Sequence, residues 1–292
     1  MVNLFILKFL KLKLSTHYAG ISFLIFIGLL LLGIIQVKAQ GNLLVDPHRV
    51  IFDGDKKIMN VSLINSGKDS ANYSMSFLQY KMTDDGSYEE ILTPEPGQNF
   101  ADKYIRLYPR TVTLGPDETQ VVKLQLIRSE ELQTGEYRSH LYFRALPIQK
   151  ALGEEAAKKD SSGISIKIIP VFGISIPVII RSGESTSALN ITDLKFEKAD
   201  NVSNRLNLTI NRKGNMSVIF DITVTHIATN GKVTQIGLME GTVIYTPNSL
   251  RKYKMELESK PSVDLSKGVI HVVCTTKNGT SILKLAEAEL VR

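Results

Sequence analysis

The sequence predicts an all-β protein that folds as two β-sandwich domains. Short runs of alternating or wholly apolar residues recur along the chain, and glycine, asparagine and aspartate turn residues separate them. Almost no segment after residue 40 has the period of an amphipathic helix; residues 153–160, "GEEAAKKD", are the exception, as a helical or disordered segment. Strands at this spacing are typical of sandwiches of the immunoglobulin-like type.

The first 39 residues have the layout of a secretory signal peptide. Lysines precede an apolar run over about residues 19–35, and Val37 and Ala39 then stand at positions −3 and −1 of a cleavage site. Cleavage would export the protein to the periplasm with Gln40 as its first residue. The alternative is a membrane anchor formed by residues 19–35, because a run of this length lies at the short end of a spanning helix.

Charge and cysteine content narrow the class of protein. Residues 1–39 contain four lysines and no acidic residue, so their removal lowers the net charge from +6 to +2. A nearly neutral chain gives no indication of a nucleic-acid partner. Cys274 is the only cysteine and lies in the apolar run "VIHVVCTT", which favours a buried structural thiol over a reactive one.

A polar, turn-rich stretch, "RSGEST" (181–186), interrupts the series of predicted strands. We therefore expect a signal segment at 1–39, an N-terminal domain at 40–181 and a C-terminal domain at 182–292. Each domain is long enough to form its own core.

The last predicted strand of the first domain is unusually long. From 164 to 180, residues of one parity are all apolar, and seventeen residues would span roughly 55 Å, against about 5–6 residues for an ordinary strand. Pro170 and Pro177 indicate an edge position, because proline cannot donate to a ladder. The pattern alone leaves open whether a partner or the protein's own core covers this face. The residues of that parity are Ile164, Ile166, Ile168, Pro170, Phe172, Ile174, Ile176, Val178 and Ile180.

The sequence contains no recognisable catalytic constellation. The five histidines have no metal-ligand spacing, and no phosphate-binding loop, nucleophile elbow or Cys–His signature is present. The acidic segment "TDDGSYEE" (83–90) lacks the ligand spacing of a calcium loop and predicts a hairpin turn instead. We predict that the protein is not an enzyme and needs no metal or cofactor.

Four segments resemble the periplasmic chaperones that assemble pili by the chaperone–usher route. "HRVIFDGDKKIMNVSLINSG" (48–67) resembles their first strands, and "YPRTVTLGPDETQVVKL" (108–124) resembles their proline-containing segment. "GEYRSHLYFRALP" (135–147) resembles the strand that begins with an Arg-Glu pair, although Gly135 takes the arginine position, and "PVIIRSG" (177–183) resembles the end of their long strand. The resemblance covers the first domain well and the second in outline, and it implies two immunoglobulin-like domains at an angle with a cleft between them.

The resemblance also implies a task for the long strand. Such chaperones lend a strand to a pilus subunit that lacks its own last strand, a form of β-augmentation called donor-strand complementation. The donor residues here would be Ile164, Ile166, Ile168, Pro170 and Phe172. The residues nearer the second domain, from Ile174 to Ile180, would pack in the protein's own core.

Two further groups of residues match the family. Its arginine that binds the subunit's C-terminal carboxylate corresponds to Arg49, for which a solvated arginine is the alternative. The lysine that completes this anchor is replaced by Pro177, which places the standard anchor in question. An interdomain ionic cluster corresponds to Glu136, Arg181 and Asp264, with ordinary surface charges as the alternative.

Two functions therefore remain open at the level of sequence. One is a periplasmic chaperone for pilus, fimbrial or other β-rich surface subunits, with an outer-membrane usher as a further partner. The other is an exported structural or adhesive protein that never donates a strand. An uncovered apolar edge also favours a homodimer through the long strand.

Overall fold

The structure is a computed structural model that describes residues 43–146, 171–199, 203–260 and 263–292. The predicted signal segment and the donor residues Ile164, Ile166, Ile168 and Pro170 lie outside these ranges. Within them the chain forms eighteen strands, two short 3₁₀ helices and no α-helix. None of the described residues forms a helix that could cross a membrane. The predicted fold class, all-β with two immunoglobulin-like sandwiches, is confirmed.

The first sandwich contains eleven strands in two main sheets and a small hairpin. Its 3₁₀ helices are Asp102–Tyr104 and Ser129–Glu131. The strands are β1 (Leu43–Asp46), β2 (Val50–Phe52), β3 (Ile58–Asn65), β4 (Ala71–Leu78), β5 (Tyr80–Met82), β6 (Tyr88–Glu90), β7 (Ile105–Tyr108), β8 (Thr111–Leu114), β9 (Thr119–Leu126), β10 (Gly135–Leu146) and β11 (Gly173–Ser182).

The strand order of the first sandwich is that of an immunoglobulin fold. One sheet has the order β1-β3-β9-β7 and the other β2-β11-β10-β4-β8, which correspond to the ABED sheet and an extended GFC sheet. Near the start of β10, the Tyr137 hydroxyl accepts a hydrogen bond from the backbone N–H of Gln133 at 2.9 Å. This contact is the tyrosine corner typical of the fold.

The prediction of a hairpin at residues 83–90 is also confirmed, because β5 and β6 of the first sandwich pair on either side of this turn.

The second sandwich has seven described strands: β12 (Ala188–Ala199), β13 (Ser203–Lys213), β14 (Val218–Ile227), β15 (Val233–Ile244), β16 (Leu250–Leu257), β17 (Val269–Asn278) and β18 (Ser281–Val291). They form two sheets of order β12-β13-β16 and β15-β14-β17-β18.

Each sandwich encloses its own apolar core, and a third, small core lies where they meet. Alternation places one face of each strand inside, so the strands of each sandwich supply buried residues at every second position. The described residues of both sandwiches belong to one compact unit. The junction core consists of Met82, Ile179, Val243 and Tyr245, with partly buried Ile51 and Ile219 against it.

Open edge of strand β11 and the interdomain junction

The inner face of β11 is buried in the C-terminal part of the strand and exposed in its N-terminal part. Ile176, Val178 and Ile180 are buried in the first core, as expected. Ile174 was expected there too, and that prediction is wrong: its exposure is 39%, against 3% for Ile176. Phe172, a predicted donor residue, is 53% exposed. The strand therefore runs on past the part of the core that covers it, with apolar side chains still on the inner face.

The same end of β11 has an uncovered backbone edge. Strand β10 pairs with β11 from Gly173 to Ser182 without a register shift, whereas β2 pairs with it only from Val178 to Ile180. The carbonyl of Phe172 accepts the Ala145 N–H at 3.0 Å, so the even-numbered residues bond to β10. The odd-numbered residues from 173 to 177 consequently direct their N–H and C=O groups to the edge that no described strand covers.

Pro177 fits this edge at little cost. Its missing N–H would point away from β10, so the β10–β11 ladder loses no bond. The pairing of β2 with β11 begins one residue later, at Val50 and Val178. Pro177 thus lies where the edge changes from covered to open.

Arg49 stands immediately before β2, at this same boundary. The register that pairs Val50 with Val178 places Arg49 beside Pro177 when it is continued by one residue. The Arg49 side chain is partly buried, and its Nε is buried without a hydrogen-bond partner among the described residues. A buried donor without an acceptor is costly, and a carboxylate is the acceptor that a guanidinium binds best.

Glu136 and Arg181 meet in a buried polar cluster at the junction. They are cross-strand partners on β10 and β11, and Arg181 Nε lies 3.5 Å from Glu136 Oε2. This Nε has no hydrogen-bonding geometry, so the contact is ionic and the Glu136 carboxylate takes its hydrogen bonds from the second sandwich. Ser217 donates to it through its N–H at 2.9 Å and through its hydroxyl, and Thr246 Oγ1 donates at 3.3 Å.

Arg181 also reaches the second sandwich directly. Its Nη2 donates to the carbonyl of Ser217 at 2.9 Å, and the N–H of Thr246 donates to the Ser217 hydroxyl at 3.0 Å. The side chain of Glu136 has no exposed surface. The cluster therefore ties the last two strands of the first sandwich to the segments that flank β14 and β15 in the second.

Asp264 is not a member of this cluster, which corrects the prediction for that residue. Its carboxylate accepts the N–H and the hydroxyl of Ser266 at 3.0 and 2.6 Å, and these bonds lower its pKa. Three residues on, the Lys267 carbonyl contacts His226 Nε2 at the far end of β14. Ser217, which binds Glu136, precedes the near end of that strand, so the two ends lie about nine residues, or roughly 30 Å, apart. Ser217 and Thr246 complete the cluster instead.

A cationic and aromatic group fills the rest of the junction. The buried Arg138 guanidinium lies 4.4 Å from the centre of the Tyr245 ring, and its Nη2 donates to the Thr246 carbonyl at 3.3 Å. His140, two residues on, makes edge contacts with Tyr80 and Tyr88 at 4.9 and 5.6 Å between ring centres. Burial, with the Arg138 charge, lowers the pKa of His140 to about 3, so this imidazole is neutral at ordinary pH.

Sequence reasoning missed Arg138, His140 and Tyr245, although one signal was present. Glu136, Arg138 and His140 occupy alternate positions of β10, while the intervening residues face the first core. Three polar residues of one parity beside an apolar face normally indicate a solvated face. Here the second sandwich covers that face, and nothing local in the sequence indicates such long-range contact.

The described residues contain no cluster of three His, Cys, Asp or Glu side chains that could hold a metal ion. Cys274 is fully buried in the second core, and burial raises the pKa of its thiol to about 12. This environment agrees with the predicted structural role of the thiol.

Comparisons with known proteins give structural neighbours only. No protein-family model matches the chain, and no curated protein matches it. The solved YadV chaperone is 13% identical, with a TM-score of 0.44 over 85% of this chain and 99% of that one. The CupB2 chaperone of Pseudomonas aeruginosa is 12% identical, with a TM-score of 0.41 over 85% and 100%. The SafB chaperone, solved with the SafA pilin of Salmonella enterica, is 11% identical, with a TM-score of 0.39 over 87% and 98%.

Proposed function

We propose that this chain is a periplasmic chaperone that donates the N-terminal part of its long strand to a β-rich surface subunit, of the pilus or fimbrial kind. The observation that carries the proposal is the coincidence of two features on β11. Phe172 and Ile174 have exposed apolar side chains, and the backbone edge beside them is uncovered as far as residue 177. Natural proteins normally protect such edges, so one left open is suited to pairing with another chain.

The exposed side chains give the pairing its free energy. Phe172 and Ile174 continue the inner face toward Ile168, Ile166 and Ile164, which lie outside the described residues. Each such side chain contributes about 1.5–3 kcal/mol when it is fully buried in a partner's groove, before the cost of ordering is subtracted. The backbone groups of the odd-numbered residues then set the register.

Arg49 would hold the carboxyl terminus of the subunit where the open edge ends. Its buried, unpartnered Nε supports this role, since a carboxylate there would supply the missing acceptor. Pro177 supplies no second cation, so the anchor rests on one guanidinium. The Glu136–Arg181 cluster would keep the sandwiches in place on either side of this anchor.

We also propose that the protein is exported, that the signal segment is cleaved after residue 39, and that the first domain ends at residue 181. The proposal also includes a homodimer through the open edge in the absence of a subunit, because a second copy of the strand could cover it. An outer-membrane usher would be the next partner of a loaded chaperone. The chemistry of strand donation needs neither a catalytic group nor a cofactor.

The test is capture of the mature protein from the periplasm of its native host, followed by native mass spectrometry. The double variant Phe172→Asn, Ile174→Asn should lose a stoichiometric small β-subunit. Leu44→Asn is the matched control, because Leu44 is 55% exposed and also lies on an edge strand. Arg49→Ala should weaken capture, whereas Arg106→Ala, a change at an exposed arginine of β7, should not.

Each result has a definite meaning. Loss of the subunit in the double variant alone would keep strand donation and remove Arg49 from the site. Capture of no subunit, or of an equal amount by all variants, would contradict donation. The second function is a structural or adhesive two-domain protein, and Pro177 in place of the expected lysine favours it. It predicts that no subunit is captured.

A further inference from the structure

The β5–β6 hairpin leaves the first sandwich and contacts the second at the end nearest its turn. Met82, the last residue of β5, belongs to the junction core with Val243 and Tyr245. Its cross-strand partner Tyr88 has its ring 6.3 Å from the Tyr245 ring, centre to centre. At its tip, the carbonyl of Asp84 accepts the backbone N–H of Lys252 in β16 at 2.6 Å.

The turn of the hairpin is held by hydrogen bonds of its own. The Thr83 N–H donates to the Ser87 carbonyl at 2.9 Å, and the Gly86 N–H donates to the Thr83 carbonyl at 2.9 Å. The Asp85 carboxylate accepts the Thr83 hydroxyl at 2.5 Å and the Ser87 N–H at 3.0 Å. The tip therefore presents a fixed shape to the second sandwich.

Gly86 and Arg251 interlock at this tip. The Arg251 guanidinium occupies the space that a Cβ on Gly86 would need, and Gly86 has a φ of +89°, in the left-handed region that favours glycine. The guanidinium is itself fixed, because Nη1 donates to the Val243 carbonyl at 2.9 Å and to Thr242 Oγ1 at 3.3 Å. It also stacks on Tyr253, 4.8 Å from the ring centre.

We propose that the β5–β6 hairpin is a latch that fixes the second sandwich against the first, with Gly86 and Arg251 as its interlocking pair. The inference concerns the junction itself and does not depend on strand donation. The Glu136–Arg181 cluster and the Arg138 contacts join the sandwiches through β10 and β11, whereas the latch joins them through a separate element. Two separate attachments prevent rotation about either one.

The test compares two glycines of similar conformation. Gly86→Ala forces Arg251 out of its site, whereas Gly231→Ala introduces a methyl at a φ of +82° where nothing lies within 4 Å. Spin labels on the exposed residues Lys123 and Lys254, one in each sandwich, report the interdomain distance by pulsed electron paramagnetic resonance. Cys274 is fully buried and can remain.

The latch predicts a narrow distance distribution in the parent and in Gly231→Ala, and a broadened or shifted one in Gly86→Ala and in Arg251→Ala. The melting temperature of Gly86→Ala should fall at least about 4 °C further than that of Gly231→Ala. In an Arg251→Ala background, this excess should disappear, since the two effects act through one contact. Distributions in Gly86→Ala and Arg251→Ala that match the parent would overturn the latch, as would an excess that persists without Arg251.

Discussion

The two ends of β11 carry the same alternation of apolar residues and serve different purposes. From Val178 to Ile180 the strand is buried and has a partner on both edges, β10 and β2. From Phe172 to Ile174 it is exposed and has a partner on one edge only among the described strands. The difference teaches that an apolar pattern specifies what a strand can bury, while its neighbours determine whether the protein itself does so.

The largest loss of stability is expected at the junction, where the buried end of β11 meets the second sandwich. Glu136→Ala would leave Arg181, Ser217 and Thr246 without their shared acceptor, which should lower the free energy of unfolding by about 3–5 kcal/mol. Urea denaturation monitored by circular dichroism measures this change.

The matched control for that change is Glu256→Ala. Its exposed carboxylate lies 3.7 Å from Arg205 on the second sandwich, so we expect a loss of about 1 kcal/mol or less. Equal losses in the two variants would show that the junction cluster does not stabilise the fold.

A smaller loss of stability is expected from substitutions that compare the two ends of β11 directly. Ile180→Ala removes a fully buried side chain from the first core and should cost about 2–5 kcal/mol. Ile174→Ala, at 39% exposure, should cost about 1 kcal/mol or less in the isolated protein. If Ile174→Ala proved as damaging as Ile180→Ala, the exposed end would belong to the protein's own core.

His140 on β10 is the cross-strand partner of Pro177 on β11, so it lies beside the boundary between the covered and the open edge. Its pKa in the folded protein is about 3, below the ordinary value of 6.5, so the unfolded chain binds more protons between these two pH values. The free energy of unfolding should therefore fall as the pH is lowered from 6.5 toward 3, at up to about 1.4 kcal/mol per pH unit from this group.

The measurement is chemical denaturation at several pH values, in the parent and in His140→Phe. The variant should lack this component of the pH dependence, and His48→Phe, at an exposed histidine before β2, provides the control. Parallel profiles for the parent and His140→Phe would contradict the burial of a neutral imidazole at the junction.

The sequence predicted the fold because the fold depends on local signals. Alternating apolar residues and turn residues predict strands from local sequence, and the apolar residues at every second position of β11 are plain in the sequence. The pairing of Glu136 with Arg181 came from the family resemblance, and the structure brings these two residues together. Ser217 and Thr246 could not be found in this way, because hydroxyl and backbone N–H groups that donate to a carboxylate have no sequence signature.

The errors have the same origin. Asp264 was assigned from a weakly matching segment, and its distance from Glu136 depends on which end of β14 each residue adjoins. The exposure of Ile174 depends on where the rest of the first core ends, which the parity of β11 does not encode. Long-range packing decided both positions.

At its N-terminal end β11 has one edge that no described strand covers, and amide hydrogen exchange by NMR tests this open edge most directly. The isolated protein should be studied at a dilution where light scattering shows a monomer. We predict fast exchange for the N–H groups of Gly173 and Ser175, which face the open edge, and slow exchange for Ile174 and Ile176, which bond to β10. Equal protection of all four amides in the monomer would contradict the account, because the edge would then already be covered.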